Sequence, residues 1–397
     1  MEHSGLSFVF LAVAFLATLL LYPGILSVAR KQNIVDNPGA RKLQRVPVPV
    51  LGGLAVLFGM GIAGSAAYAV LQDWIIYKIL LLLVLMLLLG LWDDVRDVSA
   101  SLRFVLEVLI VWAIIPIFKL RINDFHGLWG LYAVSDTVSI PLTIIAGVGI
   151  MNAVNMIDGV DGYCSTYGIM ACSVFAVIFS LSGDTAWMVM AMITVGALIP
   201  FFFHNVFGEK SKMFFGDNGS LMLGTLLALF TFRVLCSDSP CSGLEGSGLS
   251  PVALTLATLA VPVFDTLKVM IFRMVRGISP FHPDKTHFHH LFISMQLSHL
   301  FTSAIIVSIN MLIIGLLLLS WKLGASIDLQ FYLVVLLALL FTWGFYFFMD
   351  GERRKNGGEG SALFQRLSEV ARKHNFTITR TWLLLRGIAD SRLLGGK

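Results

Sequence analysis

WIIYKILLLLVLMLLLGLWDDVRD, residues 74–97, holds the pattern that decides the fold: an almost unbroken apolar run ending abruptly in adjacent carboxylates, Asp93 and Asp94. The run approaches the ~20 residues a helix needs to cross a hydrocarbon layer. Carboxylates at such an edge are costly unless they do chemistry or bind ions. The same arrangement recurs around NAVNMIDGVDG (152–162), FFGDNGS (214–220) and SPFHPDKTHFHH (279–290).

Composition agrees with that reading over the whole chain. Of 397 residues, 57% are hydrophobic and 13% charged, and the mean hydropathy is +0.84, too apolar for soluble domains. Apolar stretches at 7–29, 50–71, 74–91, 103–120, 138–156, 163–182, 185–204, 219–236, 250–272, 300–321 and 328–349 predict an all-α polytopic membrane protein with about eleven transmembrane helices. Glu2 and His3 stand where a cleaved signal carries basic residues, so the first stretch reads as a retained helix. One set of alternate loops holds Arg30, Lys31, Arg41, Lys42, Arg45, Arg96, Arg103, Lys210, Lys212, Arg273, Arg276 and Lys285; the other has little beyond Lys119, Arg121 and Lys322. The positive-inside rule then puts the N-terminus outside and the C-terminus in the cytoplasm, with all four polar motifs on the cytoplasmic side. Residues 1–350 form the membrane domain. Residues 351–397 form a basic tail in which Leu363, Phe364, Leu367 and Val370 recur at the spacing of a short amphipathic helix suited to an anionic membrane surface. Cys236 and Cys241 suit either an external disulfide or two thiols, and Cys164 and Cys172 read as buried small apolar residues.

Each motif has its own chemistry. Asp93 and Asp94 point about 100° apart on a helix and should have different jobs. Asn152 and Asn155 stand three apart, as do Asp158 and Asp161, so amides and carboxylates stack at a helix end where they suit a sugar, a base or a hard cation. Asp217 lies between glycines just before a new helix, a place for a phosphate, a metal-holding carboxylate or a plain N-cap. His282, His287, His289 and His290 lie beside Asp284 and Lys285, which suits a diphosphate or sugar phosphate, zinc, or a solvated loop.

In order and spacing, these motifs with DNPGARK…PVPVLGG (36–53) resemble those of the polyprenyl-phosphate N-acetylhexosamine-1-phosphate transferases, most closely the undecaprenyl-phosphate N-acetylglucosamine-1-phosphate branch, over about residues 7–350. The resemblance implies a bacterial inner-membrane enzyme that joins a UDP-amino sugar to undecaprenyl phosphate, releases UMP, uses Mg²⁺ or Mn²⁺ in its place, and begins a cell-surface glycan. It implies catalytic roles for Asp93, Asp94, Asp158 and Asp161, metal ligation by Asp217 and Asn155, and substrate contacts from Asn152, Asn155, Arg103, Lys42, His287, His289 and His290. No nucleic-acid partner is expected, and a homodimer is left open. Ser101 and Gln44 depart from the family's basic residue and His, which shifts a lipid-phosphate contact toward Arg103, and Tyr163 replaces the commoner Leu. Two other readings make different predictions: a relative that takes UDP-MurNAc-pentapeptide, and a secondary transporter with broken helices and midplane charges.

Overall fold

The computed structural model describes residues 2–38, 46–96, 98–241, 244, 246–279, 286–358, 360–377 and 379–391. Its helices are α1 (Glu2–Lys31), α2 (Gly52–Leu71), α3 (Ile75–Arg96), α4 (Ala100–Phe118), α5 (Asp136–Met156), α6 (Tyr163–Leu181), α7 (Thr185–Phe207), α8 (Gly216–Val234), α9 (Pro251–Val275), α10 (Phe288–Ser294), α11 (His299–Lys322) and α12 (Ile327–Arg354). A π-helical turn, Leu340–Gly344, interrupts α12, and the tail carries α13 (Ala362–Thr377) and α14 (Thr379–Ser391). Among the described residues the one sheet is an antiparallel pair, β1 (Val35–Asp36) with β2 (Val48–Pro49).

Serine hydroxyls start several helices by accepting a first-turn N–H: Ser99 from Leu102 for α4, Ser250 from Ala253 for α9, and Ser326 from Leu329 for α12. Proline inside α9 is tolerated because neighbours take up what it strands. Pro262 has no N–H for the Thr258 carbonyl, which instead accepts from Asn310 Nδ2 and the Tyr167 hydroxyl, each at 3.1 Å.

Among the described residues ten helices are long and apolar enough to cross a membrane. The span expected at 219–236 is the helix α8, which falls outside that set. Its GDNGS start, Thr225, Thr231 and Arg233 make it more polar, and it packs among α2, α3 and α5 with almost every residue buried. A post enclosed by protein does not have to be as apolar as one that meets lipid. Its hydroxyls bond back along the helix, Thr225 to the Leu221 carbonyl at 2.8 Å and Thr231 to that of Leu227 at 2.9 Å. The periphery is the reverse: α4 and α12 expose Val105, Leu109, Trp112, Leu336 and Leu340, the apolar outer surface of a protein solvated by lipid. The protein is a multi-pass membrane protein.

Antiparallel succession brings the ends of α1, α3, α5, α7, α9 and α12 together with the starts of α2, α4, α6, α8 and α11. The described parts of all the polar motifs therefore share one end of the bundle, and the polar groups do not gather at broken helices near its middle. All four cysteines are free and buried, which settles Cys236 and Cys241 as thiols.

Candidate active site

The site is built around the first turn of α8. Asp94 sits in the last turn of α3, where its carboxylate accepts the backbone N–H of Asp217 at 3.0 Å and of Asn218 at 3.1 Å, and the Asn218 side-chain amide at 2.7 Å. It therefore caps α8 from another helix, with its negative charge at the positive end of the helix dipole. The approach needs Gly90, one turn earlier on α3, since a Cβ there would lie 2.4 Å from the Asn218 Cα. The PVPVLGG segment, which runs from β2 into α2, closes the other side: Phe214 N–H donates to the Pro49 carbonyl at 2.8 Å, Gly52 N–H to that of Phe214 at 2.9 Å, and Asn218 Nδ2 to that of Val50 at 3.0 Å.

Asp93, at the adjacent helical position, faces α4 rather than the N–H groups of α8, while its carboxylate still neighbours that of Asp217. It accepts Val98 N–H at 2.9 Å and Arg103 Nη1 at 2.8 Å. Arg103 also approaches Glu107 at 3.5 Å and Asp217 at 3.9 Å. Glu107 is fully buried and accepts the Asn152 amide, so α3, α4 and α5 are joined by one polar chain. Asn155, one turn on from Asn152, donates to Asp217 and to Ser220 Oγ at 2.9 Å.

The loop between α5 and α6 completes the floor. Burial, with the charges of Asp217 and Asp94, pushes the Asp158 carboxyl well above its ordinary value, although the Gly216 N–H favours its anion. Asp161 behaves in the opposite way. Desolvation raises its carboxyl, but the His299 hydrogen bond at 2.8 Å and the Lys212 ammonium at 2.6 Å prevail and hold it below the usual range. Gly159 admits His289: a Cβ there would lie 2.9 Å from the His289 Nε2. Burial, then the neighbouring His290 and His287, lower the pKa of His289 well below the ordinary histidine value. His287 is anchored rather than loose, with its Nδ1 3.0 Å from Asp265, which also accepts Phe288 N–H at 3.0 Å and Lys268 Nζ at 2.7 Å.

Charge balance separates these groups. Asp93 is matched by Arg103, Asp161 by Lys212, and Asp265 by Lys268, whereas among the described residues Asp94, Asp158 and Asp217 have only the 3.9 Å approach of Arg103 to Asp217. Asp217 keeps 34% of its side chain exposed. A surplus of hard oxygen donors around one open carboxylate fits Mg²⁺, which binds through one or two carboxylates plus substrate phosphates and keeps its waters. Among the described residues no three His, Cys, Asp or Glu side chains form a ready-made cage. Asn155 presents its amide nitrogen to Asp217, so it becomes a ligand only if that amide turns over.

The structure thus draws Asp93, Asp94, Arg103, Asn152, Asn155, Asp158 and Asp217 into one cluster, with Asp161 and His289 along its edge. Lys42, Asp97, His282, Asp284 and Lys285 lie outside the described residues. Glu107, Lys212 and His299 join the site without any motif to announce them, and Asn218 joins it from within the FFGDNGS motif. Only the costly position of Glu107 inside an apolar run signals its importance.

Fold and site together define a polytopic helical membrane protein with a carboxylate-rich cluster at one end of its bundle. The resemblance carried by the motifs holds in direct comparison: residues 76–235 match glycosyl transferase family 4. The chain is 27% identical over 332 residues, 83% of its own length and 89% of the relative, to the probable undecaprenyl-phosphate N-acetylglucosaminyl 1-phosphate transferase of Bacillus subtilis (strain 168). It is 27% identical over 311 residues, covering 75% of this chain and 81% of the relative, to the undecaprenyl-phosphate alpha-N-acetylglucosaminyl 1-phosphate transferase of Escherichia coli (strain K12). A similar Salmonella typhi protein of the latter name is 28% identical over 270 residues, covering 66% of this chain and 70% of the relative.

Proposed function

We propose that the protein transfers N-acetylglucosamine-1-phosphate from its UDP-sugar to undecaprenyl phosphate, at a site facing the cytoplasm of a bacterial inner membrane. A phosphate oxygen of the lipid attacks the β-phosphorus of the donor, the bond from that phosphorus to the bridging oxygen breaks, and UMP leaves with the oxygen. The observation that carries this reading is the unbalanced carboxylate set around Asp217, at the bundle end where α8 starts, in a chain whose relatives bear that activity in their names.

Phosphoryl transfer between anions needs neutralisation and alignment more than covalent help. Asp217 and Asp158 would hold Mg²⁺, which when bound screens the phosphate charges and polarises the reacting phosphorus. Asp93 fixes the Arg103 guanidinium, which is directed at the lipid phosphate. Asp94 fixes the first turn of α8 and with it Asp217. His289, kept neutral, has one N–H to donate to the donor's phosphates, and His287 is held beside it by Asp265. The second pKa of a phosphate monoester, near ~6, leaves the nucleophile largely dianionic, so no residue has to act as general base.

Purified protein given radiolabelled UDP-sugars one at a time with undecaprenyl phosphate tests the proposal. UDP-N-acetylglucosamine should yield labelled lipid and UMP. Labelled lipid only from UDP-MurNAc-pentapeptide would overturn the sugar assignment, and none from any donor would overturn the reaction.

A further inference from the structure

The tail lies against the membrane domain. In α14 the Trp382 ring packs on Phe207 at the end of α7, with centroids 5.1 Å apart, and Arg386 pairs with Glu209. Asp390 accepts the backbone N–H of Ser211 at 2.9 Å, of Lys210 at 3.2 Å and of Glu209 at 3.3 Å. These residues recur every four positions and form one face of α14. Three backbone donors in the turn after α7 gain an acceptor from that face, which pins the helix to the turn.

The same face borders a cavity of about 620 Å³. Trp382 and Arg386 form one part of its wall, and Asp161, Lys212, His299 and Arg30 contribute to the rest. Asp161 belongs to the edge of the carboxylate cluster, so the cavity adjoins the reacting end. The volume lies in the range of small-ligand sites, about 300–1,000 Å³. An indole, several cations and a carboxylate with a lowered pKa make a surface for a planar base carrying phosphates.

We propose that α14 is a working wall of the donor site, in which Trp382 stacks on the base and Arg386 meets a phosphate of the uridine nucleotide. This rests on the UDP-sugar reading above for the identity of the ligand. A tail that merely padded α7 would have no reason to present both residues to the cavity. On binding, Arg386 exchanges part of its pairing with Glu209 for phosphate oxygens, the geometry to which its planar guanidinium is suited.

The test uses the full-length protein in detergent, with calorimetric binding of UDP and steady-state kinetics in which each substrate is varied in turn. Trp382→Ala and Arg386→Ala should each weaken UDP binding and raise the KM for UDP-N-acetylglucosamine about tenfold, the scale of one stacking or charge-assisted contact. The KM for undecaprenyl phosphate should stay unchanged, and Trp382→Phe should retain most of the affinity. Leu384→Ala, on an exposed position of α14, serves as the control and should match wild type. Unchanged UDP affinity in both alanine variants, or faster turnover on removing Trp382, would overturn the proposal. If the wild type transfers no sugar but binds UDP in a Trp382-dependent way, the reaction falls while the wall stands. If it transfers sugar and its UDP affinity ignores both residues, the wall alone falls.

Discussion

Asp265 and Asp217 reach into the same end of the bundle from neighbouring helices, and their surroundings differ in kind. Asp265 has 4% of its side chain exposed, with Lys268, His287 and the Phe288 N–H satisfying its oxygens. Asp217 is 34% exposed and has an amide from Asn155 and a distant guanidinium, with Asp94 and Asp158 nearby. The first carboxylate is balanced and holds α9 to the histidine segment. Among the described residues the second is not balanced, and its surplus negative charge is what a cation would offset.

Several substitutions would break or sharpen that contrast. Asp217→Asn keeps the shape and removes the charge, so UMP release should fall about 10³-fold while the thermal midpoint stays near wild type. Retained turnover would show that the open carboxylate is not used. Asp265→Ala should act on stability instead, because it leaves Lys268 buried and unmatched, a loss of about 3–5 kcal/mol. That loss would be seen as a lowered thermal midpoint that Lys268→Met partly restores. Asp94→Asn falls between the two: α8 keeps part of its cap, stability drops by about 1 kcal/mol, and turnover drops roughly tenfold because Asp217 is less well placed.

The smallest effect is on pH dependence. His289 in the folded protein resists protonation, whereas in the unfolded chain it titrates near its ordinary value of about 6.5. Its contribution to stability is thus whole above about pH 6.5 and is lost as pH falls below it, because the unfolded chain binds the proton first. Thermal midpoints at about pH 7.5 and about pH 5.5 should fall further for wild type than for His289→Asn, and equal falls would contradict the assignment.

Much of this was legible in the residues. The divergence of Asp93 and Asp94 follows from the helical repeat, and the convergence of the described motif residues at one end follows from counting spans. The enclosure of α8 was not legible, because hydropathy reports length and polarity but not which helix is surrounded. Nor were the partners Glu107 and His299, each a single residue whose role comes from contact with a segment distant in sequence. Even the cap that Asp94 provides depends on α3 and α8 touching at Gly90, which no local pattern records.

The most direct test of the whole account is the cation dependence of UMP release by the purified protein. EDTA should abolish turnover, Mg²⁺ should restore it in wild type, and no concentration of Mg²⁺ should restore it in Asp217→Asn. Undiminished UMP release in EDTA would contradict the account.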